Sequence, residues 1–108
     1  MKDLISMQAE ICKTFSNPAR LHVIKLLCKR EMNASQLIKE VRLSKANLSQ
    51  HMSMLLNKGV VVSRKKGVNV YYALSDKKIS QACSLMQEVV VNSLNRKKQV
   101  LEKINNKK

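Results

Sequence analysis

The chain has 108 residues, with 21 Lys+Arg against 7 Asp+Glu and a formal net charge of +14 at pH 7. That length suits a single domain, and an apolar content of 44% is too high for a disordered polycation. No apolar run nears the roughly 18 residues a spanning helix needs, so the composition excludes that membrane class and predicts a soluble protein with a polyanionic partner.

The start, Met1-Lys2-Asp3-Leu4, carries an acid and no small-residue cleavage pattern, so no secretory signal is expected. Neither an internal repeat nor a low-complexity linker interrupts the chain, and its two glycines and one proline make sparse, informative punctuation. Leu4, Ile5, Ile11, Cys12 and Phe15 recur at helical spacing and predict a first helix over about residues 3 to 15. Asn17-Pro18 reads as an N-cap followed by proline at the first helical position. The second helix carries Leu21, Ile24, Leu27 and Cys28 on one face and ends near Arg30. Asn33 with Gln36 makes a capping pair for a short third helix through Val41, with Leu37 and Val41 inward. Leu43-Ser44 forms the turn, Ser44 caps, and a fourth helix runs from Lys45 to about Lys58, with Gly59 as its C-terminal cap. The stripe of that helix is Leu48, Met52, Leu55 and Leu56, leaving Gln50, Ser53 and Asn57 away from it.

The period then changes. Val60 to Arg64 and Val68 to Leu74 are rich in β-branched and aromatic residues and are separated by Lys65-Lys66-Gly67, which predicts a β-hairpin with a basic tip. Tyr71 and Tyr72 alternate across it, so one of the two belongs to the core. Ser75 or Asp76 caps a long last helix with apolar positions at Ile79, Ala82, Cys83, Met86, Val90 and Leu94. So long a helix cannot bury its stripe in so small a domain, and pairing with a second copy solves this. The order ααααββα is mainly α with a hairpin, an α+β winged helix-turn-helix.

Between Glu40 and Asp76 there is no acid, while Arg42, Lys45, Lys58, Arg64, Lys65 and Lys66 fall inside that window. An uncompensated window is what a phosphate-facing surface needs; scattered lysines in a generally basic proteome are the plainer explanation. Residues 96–108 form the basic C-terminal tail of the last helix (Arg96, Lys97, Lys98, Lys103, Lys107 and Lys108 against Glu102), with a frayed, solvated end as its plainest reading. Residues 1–95 are expected to hold the winged helix-turn-helix, as a DNA-binding and dimerisation domain.

In a winged helix-turn-helix the fourth helix enters the major groove and the hairpin reaches the neighbouring backbone or minor groove. Four stretches make the match closer: Phe15 to Leu21, Leu43 to Met52, Leu56 to Val61 and Val70 to Leu74. Their Asn-Pro-x-Arg opening, Ser-Gln-His-Met core and Val-Tyr-Tyr strand resemble the ArsR/SmtB family of bacterial repressors over roughly residues 4 to 92. The resemblance implies a homodimeric transcriptional repressor, joined through its first and last helices, that releases operator DNA when an inducer binds.

For readout, a Gln amide bonds bidentately to adenine N6 and N7, while Ser and Asn reach base edges or phosphate. Gln50, Ser49 and Asn47 are therefore base-contact candidates, with Ser44 and Lys45 suited to phosphate at the helix N-terminus. His51 either fixes the helix or touches phosphate, and His22 has no ligand partner at metal spacing. At the wing, Arg64, Lys65 and Lys66 supply charge and Asn69 a backbone contact.

The metal sites of the resembled family are missing from this sequence. Asn33 and Ser35 stand where its thiolate members keep a Cys-x-Cys pair. On the last helix Asp76 survives, but Lys78, Val89 and Asn92 occupy the other zinc positions. No metal and no other cofactor is expected. Three cysteines without paired spacing argue against a disulfide framework and predict a reducing cytoplasm. Cys12, Cys28 and Cys83 fit three readings: small buried hydrophobes, a thiol switch, or ligands of a soft ion. What the resemblance adds is the form of such a switch, with Cys12 and Cys83 meeting where first and last helices pack, responsive to oxidants or reactive sulfur; the alternative is a regulator of this type with no thiol sensing, constitutive or answering another inducer.

No Ser/His/acid or Cys/His context, glycine-rich phosphate loop or paired carboxylate suggests an enzyme. A sequence-blind nucleoid or RNA-binding protein is the rival, although Phe15, Tyr71 and Tyr72 are too few aromatics for a stacking platform.

Overall fold

Each helix opens on a side chain that accepts a hydrogen bond from its first turn, where backbone N–H groups have no helical partner. In the computed structural model, which describes residues 3–107, these caps are Asp3, Asn17, Asn33, Ser44 and Asp76. They start α1 (Leu4–Thr14), α2 (Pro18–Leu27), α3 (Ala34–Val41), α4 (Lys45–Asn57) and α5 (Lys77–Asn106). Strands β1 (Met32–Asn33), β2 (Val61–Lys66) and β3 (Asn69–Leu74) form an antiparallel sheet in the order β1-β3-β2. Met1, Lys2 and Lys108, on which the signal and tail readings partly rest, lie outside the described residues. The winged helix-turn-helix architecture is as expected.

Asn33 makes the full reciprocal box: its Oδ1 accepts from the Gln36 N–H at 2.9 Å, and Gln36 Oε1 accepts from the Asn33 N–H at 2.9 Å. Asn33→Ala is expected to destabilise the protein by about 1 kcal/mol. A melt at fixed protein concentration checks this, and an unchanged midpoint would mean that tertiary packing alone holds α3.

The core gathers Val23, Ile24 and Leu27 of α2, Leu37 of α3, and Leu48, Met52 and Leu55 of α4, closed by Met32, Val60 and Val61. Tyr72 packs against this cluster, while Tyr71 lies beneath the Lys66 ammonium, 5.3 Å from its ring centre. The tyrosine that belongs to the core is thus Tyr72.

Several expectations need correction. Helix α2 ends at Leu27, with Cys28 as its cap, rather than near Arg30. Its buried stripe includes Val23, and Leu21 turns outward. Leu56 is 37% exposed, because Leu48, Met52 and Leu55 already fill the inward arc of α4. The hairpin turn is Gly67-Val68, since Lys66 pairs with Asn69 and both Lys65 and Lys66 are strand residues. Gly67 has φ +63, as the first central residue of a type II′ turn requires. Residues 96–106 continue α5 as helix to Asn106, as the tail of the last helix.

Two helices keep apolar faces the protomer does not cover. In α1 only Thr14 is buried, while Leu4 and Ile5 are 79% and 78% exposed. In α5, Ile79 and Cys83 pack against the core, and the same stripe continues outward as exposed Met86, Val90, Leu94, Leu101 and Ile104. Among the described residues no helix is long and apolar enough to cross a membrane.

Candidate nucleic-acid interface

The turn between α3 and α4 is built without glycine. Arg42 ends α3 in the left-handed region (φ 59), its N–H donating to the Ile38 carbonyl. Ser44 then opens α4, its Oγ accepting from the Asn47 N–H at 3.1 Å. Burial of Leu48, Met52 and Leu55 fixes the helix's rotation and leaves Lys45, Asn47, Ser49 and Gln50 exposed together with Ser44. His51 is half-buried and turned to Arg20, whose Nη1 lies 3.4 Å from its Nδ1.

The wing is anchored at its base. Gly59 (φ +73) turns the chain out of α4, Val60 and Val61 are buried, and Ser75 Oγ donates to the Gly59 carbonyl at 2.6 Å. Beyond that anchor Arg64, Lys65, Lys66 and Asn69 are exposed. Arg64 and Lys66, two apart on one face of β2, both bind Glu31, at 3.1 and 2.8 Å. The Lys66 hydrogen bond, then the charges of Lys66 and Arg64, hold the Glu31 carboxyl below its usual range against a burial penalty. Lys58 pairs with Glu10 at 3.4 Å. The acid-free window of the sequence is therefore partly compensated in space. Of its six cations, Arg42, Lys45 and Lys65 make no ion pair among the described residues.

Sequence reasoning missed Glu31, Glu10 and the Arg20–His51 contact, all of which join residues 31 to 48 positions apart. No local pattern signals such pairs. It also missed Thr14, a buried polar residue whose hydroxyl donates to the Glu10 carbonyl at 3.0 Å.

The thiols are arranged unevenly. Cys12 is exposed on α1, whereas Cys28 and Cys83 are half-buried against the same core. Burial pushes the Cys83 thiol up, Cys28 adds to the rise, and Lys25 opposes it. Cys28 and Cys83 thus share one side of the core within the protomer, and Cys12 does not. Cys28, but not Cys83, lines an open groove together with Lys29, Arg30, Glu31, Lys77 and Ser80. Among the described residues no group of three or more His, Cys, Asp or Glu is gathered to hold a metal ion.

A capped helix exposed beyond a tight turn, flanked by a cationic hairpin, defines a winged helix-turn-helix of the DNA-binding regulator class. The family profile described as "Bacterial regulatory protein, arsR family" matches residues 17–63, from the cap of α2 into the wing. The HTH-type transcriptional regulator Rv0081 of Mycobacterium tuberculosis is 31% identical over 100 residues, covering 92% of this chain and 88% of the relative. Its crystal structure superposes with a TM-score of 0.82 at 28% identity, over 90% of this chain and 98% of that one. The transcriptional activator HlyU of Vibrio cholerae is 29% identical over 73% of each chain, and its structure gives a TM-score of 0.74 at 27% identity, over 82% of this chain and 97% of that one. The transcriptional repressor PagR of Bacillus anthracis is 28% identical over 75% of this chain and 82% of its own. The chain belongs to the ArsR family of bacterial regulatory proteins and is a DNA-binding transcriptional regulator of that family.

Proposed function

We propose that the protein is a repressor that binds double-stranded operator DNA as a homodimer, reading bases with Gln50, Ser49 and Asn47. Ser44 and Lys45 bind phosphate at the start of α4, and Arg64, Lys65, Lys66 and Asn69 do so from the wing. The observation that carries this reading is the exposed polar face of α4, set by burial of Leu48, Met52 and Leu55 behind it. Both regulatory signs occur among the relatives, as an activator and a repressor. Repression is the simpler outcome, because occupying a promoter blocks it without any further contact to the transcription machinery. The second copy is called for by the uncovered stripes of α1 and α5, and a relative of the same fold from Mycobacterium bovis is described as homodimeric.

Competition tests the reading. A duplex selected by the protein from a randomised pool should remain bound at a salt and competitor concentration that strips random DNA. Equal loss of both would make the protein a sequence-blind nucleoid or RNA binder.

A thiol switch draws support from Cys28 and Cys83 packing against the same core, one at the end of α2 and the other on α5. A two-electron oxidant, a polysulfide included, would join the two sulfurs as their protons leave, tying the end of α2 to α5. In the groove that Cys28 lines, Lys29, Arg30 and Lys77 outnumber the single acid, Glu31, and draw anionic oxidants toward that thiol. Cys12 would take part only through contacts across the dimer. Treatment with polysulfide is expected to weaken binding of the selected duplex in the wild type and in Cys12→Ser, and to have no effect in Cys28→Ser or Cys83→Ser. Loss of the response in Cys12→Ser alone would move the switch to the dimer seam. A wild type indifferent to oxidant would leave all three cysteines as packing residues.

A further inference from the structure

Half-buried polar contacts behind the readout helix join its middle, at His51, and its C-cap, at Lys58, to α1. Arg20 lies in the first turn of α2, where its own N–H is capped by Asn17 Oδ1 at 3.1 Å. Its side chain leaves that turn and divides. Nε donates to the Thr14 carbonyl at 2.8 Å, and Nη1 approaches His51 Nδ1 at 3.4 Å. Thr14 is the last residue of α1 and is buried, so its carbonyl, lacking a helical partner, is satisfied by a cation at a helix C-terminus. Seven residues further along α4, about 10 Å of helix, Lys58 at the C-cap pairs with Glu10 of α1.

We propose that Arg20 is a positioning residue for DNA readout, tying α4 through His51 to the end of α1, with the Lys58–Glu10 pair as the second point of attachment. The buried stripe sets the rotation of α4, and two polar attachments separated along its axis set its angle to α1. The proposal rests on the reading of α4 as the recognition helix and of α1 as part of the dimer seam. On that reading the two links transmit the spacing of the dimer to the pair of readout helices. The guanidinium is suited to this because its planar fork presents divergent donors in fixed geometry, which a lysine ammonium on a flexible stem cannot reproduce. For Arg20 to donate, His51 Nδ1 must be the unprotonated ring nitrogen, with Nε2 carrying the proton. His51 is accordingly a brace inside the site and is left out of the DNA-contacting set, although it adjoins Gln50.

Four variants test this on the duplex selected by the wild-type protein: Arg20→Lys, His51→Ala, His51→Asn and the double variant Arg20→Lys/His51→Ala. Arg20→Lys keeps the charge and breaks the fork; His51→Ala removes the acceptor; His51→Asn restores one on a shorter side chain. Each of the first two is expected to weaken binding of the selected duplex about tenfold, the scale of one charge-assisted hydrogen bond. Binding of random duplex at the same salt should stay within about twofold, because the variants keep the phosphate-facing charge that sets non-specific affinity. The double variant should lose no more than either single variant, and His51→Asn should recover most of what His51→Ala loses. Active-site titration and a melt of each variant keep misfolded protein out of the comparison. Independent, multiplying losses in the double variant would overturn the proposal, as would His51→Asn proving as damaging as His51→Ala. Wild-type affinity in a folded Arg20→Lys would do the same. Gln50→Ala serves as the control for the underlying reading. If it relaxes sequence preference while the Arg20 and His51 variants do not, only the positioning role fails; if it changes nothing, the assignment of α4 to readout fails first.

Discussion

A protein carrying Val90→Glu and Leu94→Glu is expected to be monomeric where the wild type is a dimer, and to bind the full selected site at least about a hundredfold more weakly. The magnitude follows from linkage, since two half-site contacts held in one assembly gain roughly 10²–10⁴ over either alone. The structural basis is the continuity of one stripe. Ile79 and Cys83 at the base of α5 meet the protomer's own core, and Met86, Val90, Leu94, Leu101 and Ile104 repeat the same helical face beyond the reach of that core. Leu94 and Leu101 are 59% and 61% exposed, and the exposed face of α1 adds Leu4, Ile5, Met7 and Ile11. Complete burial of such a side chain contributes about 1.5–3 kcal/mol. A few from each copy therefore match the roughly 8 kcal/mol of a micromolar dimer, even after part is lost to association entropy. Glutamate is a good helix former, so α5 should persist with unchanged circular dichroism while buried carboxylates oppose the seam. Light scattering decides the oligomeric state, and a half-site duplex, which needs only one protomer, should bind variant and wild type alike. If the variant stays dimeric, the seam does not run along α5; if the wild type is monomeric, the homodimer itself is wrong.

The starts of α2 to α5 were legible because each is decided by chemistry within four residues, whereas the end of α2 was not. Asn17-Pro18, Asn33 with Gln36, Ser44 and Asp76 all cap the turns they precede. Strand β1 was not legible. Two residues have no strand propensity of their own, and Met32 and Asn33 are extended only because the open edge of β3 pairs with them at Tyr72 and Tyr71. The hairpin turn was misplaced for a related reason: Lys65 and Lys66 look like turn residues by composition, but the register with Val70 and Asn69 continues through them. Arg42 gave no warning of its left-handed backbone, a conformation that sequence reading assigns to glycine or asparagine. At the candidate site the exposed residues of α4 and the wing were readable from the stripe and the charge window. Their compensation was not, because Glu31 and Glu10 reach the cations only through the fold.

That compensation separates the contributions of the wing cations and sharpens the comparison between base reading and charge. Gln50→Ala is expected to raise the dissociation constant for the selected duplex by about 5- to 150-fold, equivalent to the 1–3 kcal/mol of a bidentate base contact. Random duplex should be bound as before, so the loss appears wholly in the specificity ratio. Lys65→Ala should behave oppositely, weakening selected and random duplex by the same factor and reducing the salt slope by about one unit for each phosphate that is no longer neutralised. Lys65 is the informative wing residue because it makes no ion pair among the described residues, so its whole charge is free for phosphate. Arg64 and Lys66 already share the Glu31 carboxylate, which must be displaced or shared before a phosphate gains either of them. Arg64→Ala is therefore expected to change the salt slope by less than Lys65→Ala, and Glu31→Gln to raise affinity for both duplexes with a steeper slope. Selection from a randomised pool with Gln50→Ala should return a motif degraded at one position in each half-site, whereas Lys65→Ala should return the wild-type motif. If Gln50→Ala and Lys65→Ala shift selected and random duplex alike, Gln50 does not read a base. The specificity of this regulator would then lie in DNA shape or in other residues of α4.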